Sequence, residues 1–193
     1  TVPDAPVSVV GSAGDSQAAV SWTAGGDGGS AITGYKVEYS SDDGDSWATA
    51  VADTASADVA YTVTGLTNGT GYVFRVSATN AAGTGAATTS ASATVSPRTT
   101  PGAPTAVAGT PGDSLVALSW TAPGVDGGSA ITGYTVEYSS DDGKSWTTAV
   151  ADTASADVAH TVTGLTNGTG YVFRVSATNA AGTGAASAVS TSV

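Results

Sequence analysis

Leu66-Thr67-Asn68-Gly69-Thr70-Gly71-Tyr72-Val73-Phe74-Arg75-Val76-Ser77-Ala78-Thr79-Asn80 is the stretch whose reading decides the fold, and Leu165 to Asn179 repeats it letter for letter. Tyr72, Phe74, Val76 and Ala78 occupy every second position, with Arg75 among the residues between them. A period of two is that of a strand with one buried face. Asn68-Gly69 ahead of it is turn chemistry. Moving outward, Tyr35, Val37 and Tyr39 alternate with Lys36 and Glu38, and Tyr134, Val136 and Tyr138 alternate with Thr135 and Glu137. Val116, Leu118 and Trp120 form a third alternating set, whose counterpart Ala18, Val20, Trp22 carries smaller side chains. Helix signals are almost missing, and short strands recur between Gly, Asn and Asp turns. The pattern predicts an all-β chain built as sandwiches, in which each of two sheets buries one face.

The repetition extends well beyond that stretch. Thr49–Ala87 and Thr148–Ala186 agree everywhere except at Tyr61 against His160. Trp22 pairs with Trp120, Tyr35 with Tyr134, Leu66 with Leu165 and Tyr72 with Tyr171, and the offset changes by one residue between the first two pairs. The extra residue falls in a Gly-rich stretch, 25–30 in one copy and 124–129 in the other, where loop closure entropy grows slowly with length. A strand interior would instead slip its register. Two tandem domains follow, expected at 1–97 and 98–193, with the boundary inside Ser96-Pro97-Arg98-Thr99-Thr100-Pro101.

Composition narrows the function classes. There is no Cys, so neither disulfides nor thiol chemistry are available and stability must come from packing. Five basic against sixteen acidic residues leave a formal charge of −11 spread over both copies. Nucleic acid is a poor partner for that surface, because its binding relies on Lys and Arg neutralising phosphates. No apolar run reaches the ~18 residues of a membrane span. Low Lys with high Ala, Gly, Thr and Ser resembles secreted bacterial proteins, and the reading places the chain outside the cell. The chain opens on Thr and lacks Met, which reads as a fragment or a processed chain.

Each copy resembles a fibronectin type III domain over nearly its whole length. The resemblance rests on Pro6 and Pro104 before the first strand, Trp22 and Trp120 on the second, the Tyr-x-Val-x-Tyr strand, and Leu66 to Tyr72 or Leu165 to Tyr171 spaced as Leu-x5-Tyr. It implies two tandem immunoglobulin-like sandwiches of about seven strands each, with Tyr72 and Tyr171 as corner tyrosines whose hydroxyls bond back to the upstream backbone. Trp22, Trp120, Tyr35, Tyr134, Leu66 and Leu165 are then structural core. The family also includes integrin-binding modules, but the loop that would carry Arg-Gly-Asp reads Asn80-Ala81-Ala82-Gly83-Thr84-Gly85, and its twin reads the same. What transfers is the role of spacer and display scaffold, an argument from fold alone.

Ser40-Ser41-Asp42-Asp43-Gly44-Asp45-Ser46-Trp47 and Ser139-Ser140-Asp141-Asp142-Gly143-Lys144-Ser145-Trp146 resemble the Asp-box of sialidases, with Ser in place of Thr. The resemblance implies a structural hairpin: Asp accepts backbone hydrogens, Gly takes a positive φ and Trp clamps the turn. Sialidase chemistry needs clustered arginines, whereas Arg75, Arg98 and Arg174 are all the chain has. Calcium is disfavoured, since the EF-hand spacing fails and Lys144 replaces Asp45 in the second copy. No metal or cofactor is expected, and no catalysis either. The only imidazole, His160, has Tyr61 as its twin, and Glu38 and Glu137 are expected to face Arg75 and Arg174 across strands as weak structural pairs. An isopeptide staple from Lys36 has no second-copy equivalent, because Thr135 stands there. Asn68-Gly69-Thr70 and Asn167-Gly168-Thr169 are formal glycosylation sequons that also serve as turns.

One recognition hypothesis remains. Trp47 and Trp146, displayed on a sheet edge, would stack on sugar rings in both domains and gain from bivalency; the competing reading has each indole covering its own hairpin. The sequence therefore predicts a non-catalytic, extracellular or surface-located spacer that holds a binding or catalytic head, with other domains of the same chain as its partners. The alternatives are an adhesion module binding glycan or a surface protein, an accessory module of a secreted polysaccharide-degrading enzyme, and a phage tail or decoration domain.

Overall fold

The computed structural model describes residues 1–88 and 92–193, and the chain divides into two compact units, Thr1–Arg98 and Thr99–Val193. Arg98 N–H donates to the Gly14 carbonyl of the first unit, whereas Thr99 N–H donates to Gly127 of the second.

Among the described residues each unit is a sandwich of seven strands. The first comprises β1 (Val7–Gly14), β2 (Gln17–Thr23), β3 (Gly34–Ser40), β4 (Ala48–Val51), β5 (Ala60–Thr64), β6 (Val73–Asn80) and β7 (Gly83–Ala87). Its two antiparallel sheets have the orders β1-β2-β5 and β4-β3-β6-β7. The second unit repeats this with β8 (Thr105–Gly112), β9 (Leu115–Thr121), β10 (Gly133–Ser139), β11 (Thr147–Val150), β12 (Ala159–Thr163), β13 (Val172–Asn179) and β14 (Gly182–Ala186), ordered β8-β9-β12 and β11-β10-β13-β14. Strands form here because alternation gives each sheet one apolar face, and the two faces close on each other.

The alternating residues supply the core of each unit, with Tyr39 and Tyr138 only partly buried against it. Ala18, Val20 and Trp22 from β2 meet Tyr35 and Val37 from β3 and Phe74, Val76 and Ala78 from β6. Val116, Leu118, Trp120, Tyr134, Val136, Phe173, Val175 and Ala177 do the same in the second unit. Trp22 stands edge-on to Tyr35 with ring centroids 5.0 Å apart, and Trp120 to Tyr134 at 5.1 Å, so one aromatic pair joins the two sheets of each sandwich. Among the described residues neither of these indole N–H groups has a hydrogen-bond acceptor. That desolvated donor is a cost, offset by the large apolar area the ring buries. The smaller side chains of β2 do not leave Trp22 more open: both indoles are 5% exposed. Val9 is buried in the first core, whereas its counterpart Val107 is only partly buried in the second.

Polar ties close the ends. The Tyr72 hydroxyl accepts from Thr67 N–H at 3.1 Å and the Tyr171 hydroxyl from Thr166 N–H at 3.2 Å, making the corner in both copies. Buried Asn80 donates to the carbonyls of Thr1 and Asp27, and its Oδ1 accepts from Ala82 N–H, so one amide holds the N-terminal segment, the β2–β3 loop and the β6–β7 turn. Asn179 makes the same bonds to Thr99, Asp126 and Ala181. Gly85 and Gly184 are required by close approach, since a β-carbon there would collide with the carbonyl oxygens of Pro3 and Pro101.

Truncating either core indole tests this account. Trp120→Ala is expected to destabilise the second unit by about 3–5 kcal/mol, and Trp22→Ala the first by a similar amount, read from urea unfolding. A neutral Trp120→Ala would contradict the placement of β9 in the core.

Candidate functional site

The sequence candidates converge on the outer face of the larger sheet in each unit. Lys36, Glu38 and Arg75 lie there because they alternate with core residues on β3 and β6, and the register sets Glu38 opposite Arg75 and Glu137 opposite Arg174. Arg75 Nε donates to Glu38 at 2.8 Å, Lys36 Nζ donates to the other carboxylate oxygen at 2.8 Å, and Arg174 Nε donates to Glu137 at 2.7 Å. Glu38 is only 6% exposed, more covered than an outward-facing carboxylate on a strand suggests. Burial alone would raise its pKa, but the hydrogen bonds and charges of Arg75 and Lys36 outweigh it and hold the carboxyl below its ordinary value. Thr135, in the Lys36 position, donates its hydroxyl to the Ala151 carbonyl instead.

Trp47 completes this face. It sits just before β4 and is half-buried, and the Arg75 guanidinium carbon lies 4.3 Å from its ring centroid. Arg174 stands over Trp146 at the same 4.3 Å. This is cation–π geometry, with the guanidinium anchored by the carboxylate on the adjacent strand. Each Trp also lies against its own turn: a β-carbon on Gly44 or Gly143 would come within 3.2 Å of the indole. The arginine cover is the feature that sequence reasoning missed. The predicted Glu38–Arg75 pairing puts Arg75 on this face, but that the hairpin leaving β3 folds back far enough to bring Trp47 under it was not legible in the residues.

The hairpin itself is closed by Asp42. Ser40 Oγ–H donates to Asp42 at 2.6 Å, Ser46 N–H donates at 2.9 Å, and Ser46 Oγ–H reaches the second carboxylate oxygen. Ser40 Oγ accepts from Gly44 N–H at 2.8 Å, and Gly44 takes a φ of +97°. Asp141 is held by the same bonds from Ser139 and Ser145. The hydrogen bonds from Ser40 and Ser46 bring Asp42 down to about 2 from an ordinary 3.8, and their counterparts hold Asp141 well below the usual carboxylate range. Among the described residues no group of three or more His, Asp or Glu side chains is arranged to hold a metal ion. His160 is half-exposed on β12 and faces Leu118, as Tyr61 on β5 faces Val20. At the sequons, Asn68 Nδ2 donates to Asp15 and Asn68 Oδ1 accepts from Ser16 N–H, both at 2.8 Å, so the side chain ties two turns together. Asn167 does the same with Asp113 and Ser114.

Two tandem sandwiches of this topology, each with a tyrosine corner and an aromatic clamp between its sheets, define a modular β-sandwich protein of the immunoglobulin-like class. The family model for the fibronectin type III domain matches residues 3–95 and again 100–193, and the chain belongs to that family. Exoglucanase B of Cellulomonas fimi is 35% identical over 202 residues, covering 100% of this chain and 17% of that protein. Chitinase A1 of Niallia circulans is 38% identical over 170 residues, 84% of this chain and 21% of the other, and human Myomesin-2 is 35% identical over 162 residues, 81% and 11%. The chain thus spans less than a quarter of each of these relatives. The crystal structure of chicken CNTN1 FN1-FN3 domains aligns with 97% of this chain and 65% of its own, at 24% identity and a TM-score of 0.48.

The Asp42 pKa has a direct consequence. A depressed folded value means the hairpin's hold is complete above the ordinary 3.8 and is lost as pH falls through about 2. A carboxyl titration by NMR should place the Asp42 midpoint near the lower value; a midpoint near the ordinary one would show that the hydrogen bonds to Ser40 and Ser46 are not held in solution.

Proposed function

We propose that the chain is a non-catalytic spacer, located outside the cell, that holds a catalytic or binding head of a larger protein. One observation carries this reading: the side chains best suited to recognition are spent inside the fold, in the same way, in both copies. Trp47 and Trp146 lie under arginines and against their own turns, and Asp42 and Asp141 are occupied by serine and backbone donors. Sugar stacking needs an open aromatic face, and an arginine anchored to Glu38 or Glu137 would have to be displaced to supply one. An acidic surface without a basic patch supports a module that stays soluble and separate from its neighbours.

A second reading is favoured by the relatives named an exoglucanase and a chitinase, of which this chain matches a minor part. In it, the pair is an accessory module of a polysaccharide-degrading enzyme, with Trp47 and Trp146 contributing a glycan contact. Retention on insoluble cellulose and chitin separates the two. The spacer reading expects the pair to stay in the supernatant, and Trp47→Ala with Trp146→Ala to change nothing. Retention that disappears in the double variant, with both units still folded by circular dichroism, would establish the second reading and overturn the first.

A further inference from the structure

Asparagine before glycine is chemically labile in a free chain. The glycine nitrogen, unhindered by a side chain, loses its proton and attacks the asparagine Cγ; ammonia leaves as a cyclic imide closes, and water then opens the ring to aspartate or isoaspartate. Of the four asparagines in the chain, Asn68 and Asn167 stand in this setting, whereas Asn80 and Asn179 precede alanine and are buried. The fold treats the two Asn-Gly pairs alike. Thr70 N–H donates to the Thr67 carbonyl at 3.3 Å and Gly69 takes a φ of +83°, so Asn68 and Gly69 are the central residues of a type II turn. Thr166 to Thr169 form the same turn, closed at 3.2 Å with a φ of +78° at Gly168. Each asparagine amide is held at both atoms. Asn68 Nδ2 donates to Asp15 Oδ1 and Asn68 Oδ1 accepts from Ser16 N–H, both at 2.8 Å, and Asp113 and Ser114 hold Asn167 at the same distances. Those partners are anchored in turn, since the Ser16 carbonyl accepts from Leu66 N–H at 3.0 Å and the Ser114 carbonyl from Leu165 N–H at 3.1 Å.

We propose that Asn68 and Asn167 are latent deamidation sites, kept closed by Asp15 with Ser16 and by Asp113 with Ser114. Imide formation requires Cγ to come within bonding distance of the glycine nitrogen, a rotation of backbone and side chain that the two amide hydrogen bonds oppose. In the first unit the attacking nitrogen is held as well, because Gly69 N–H donates to the Pro97 carbonyl at 2.9 Å. Reaction therefore waits on local opening of the turn. Conversion is one-way. The carboxylate that replaces the amide has no N–H to give Asp15 and carries the same charge, so a turn that has opened and reacted does not close as before. Each site thereby records how often the corner before Tyr72 or Tyr171 comes loose.

The test incubates the 193-residue chain at mildly alkaline pH and follows the mass gained when amide becomes acid. Trypsin separates the sites, since Asn68 lies between Lys36 and Arg75 and Asn167 between Lys144 and Arg174. A blocked peptide of residues 66–71 supplies the unrestrained rate. Both sites should convert at least about tenfold more slowly in the chain than in the peptide. Asp15→Ala should speed Asn68 about tenfold, the equivalent of one lost hydrogen bond, with Asn167 of the same molecule as the unchanged reference. Asp113→Ala should do the reverse. Asp15→Asn keeps an acceptor oxygen and should leave Asn68 slow, which separates loss of the tie from loss of the fold. Conversion of Asn68 in the unaltered chain at the peptide's rate, an unchanged rate in Asp15→Ala, or equal acceleration by Asp15→Asn would overturn the proposal.

Discussion

The edge-on contact between an indole on one sheet and a phenol on the other is the interaction on which each sandwich rests. Trp22 on β2 and Tyr35 on β3 face each other across the gap between sheets, as do Trp120 and Tyr134. Their sizes set the separation that Val37, Phe74 and Val76 then fill. Without cysteine, no covalent bond restores that spacing if the aromatic pair is lost. The pair also explains why an indole N–H is left without an acceptor: a polar partner at that point would displace apolar contact from the middle of the core.

On the outer face, residues that look like chemistry become structure by pairing with one another. Glu38 bridges Lys36 and Arg75, Arg75 covers Trp47, and Trp47 closes the hairpin that Asp42 staples. Each link leans on the next, so that charge, aromatic face and turn carboxylate are consumed in one chain of contacts. The second copy keeps the chain without the lysine, which shows that Lys36 is an addition and the Glu–Arg–Trp stack the common element.

Much of this was legible in the residues themselves. Tyr72-x-Phe74-x-Val76 announces a strand because side chains alternate faces whatever the strand pairs with, and Asp-Gly before Ser-Trp announces a hairpin because few residues accept its backbone angles. The Glu38–Arg75 pairing was also within reach, since both residues flank core positions on adjacent strands. The cover over Trp47 was not, because it depends on how far the hairpin folds back over the sheet. Nor was the burial of Glu38, which comes from neighbours on other strands. Asn68 read only as a turn residue and a sequon; its hold on Asp15 and Ser16 crosses some fifty residues of sequence.

The sequence by itself determined the class, the duplication and the positions of core and corner, because those follow from local periodicity and from the agreement of two copies. Tertiary structure alone decided which exposed-looking side chains are free. A tryptophan beside a turn reads the same whether its face meets solvent or a guanidinium, and Pro97 reads as a linker until it is found buried with its carbonyl accepting from Gly69 N–H. The physical reason is that availability depends on what lies within a few ångströms in space, and in a sandwich those neighbours come from strands distant in sequence.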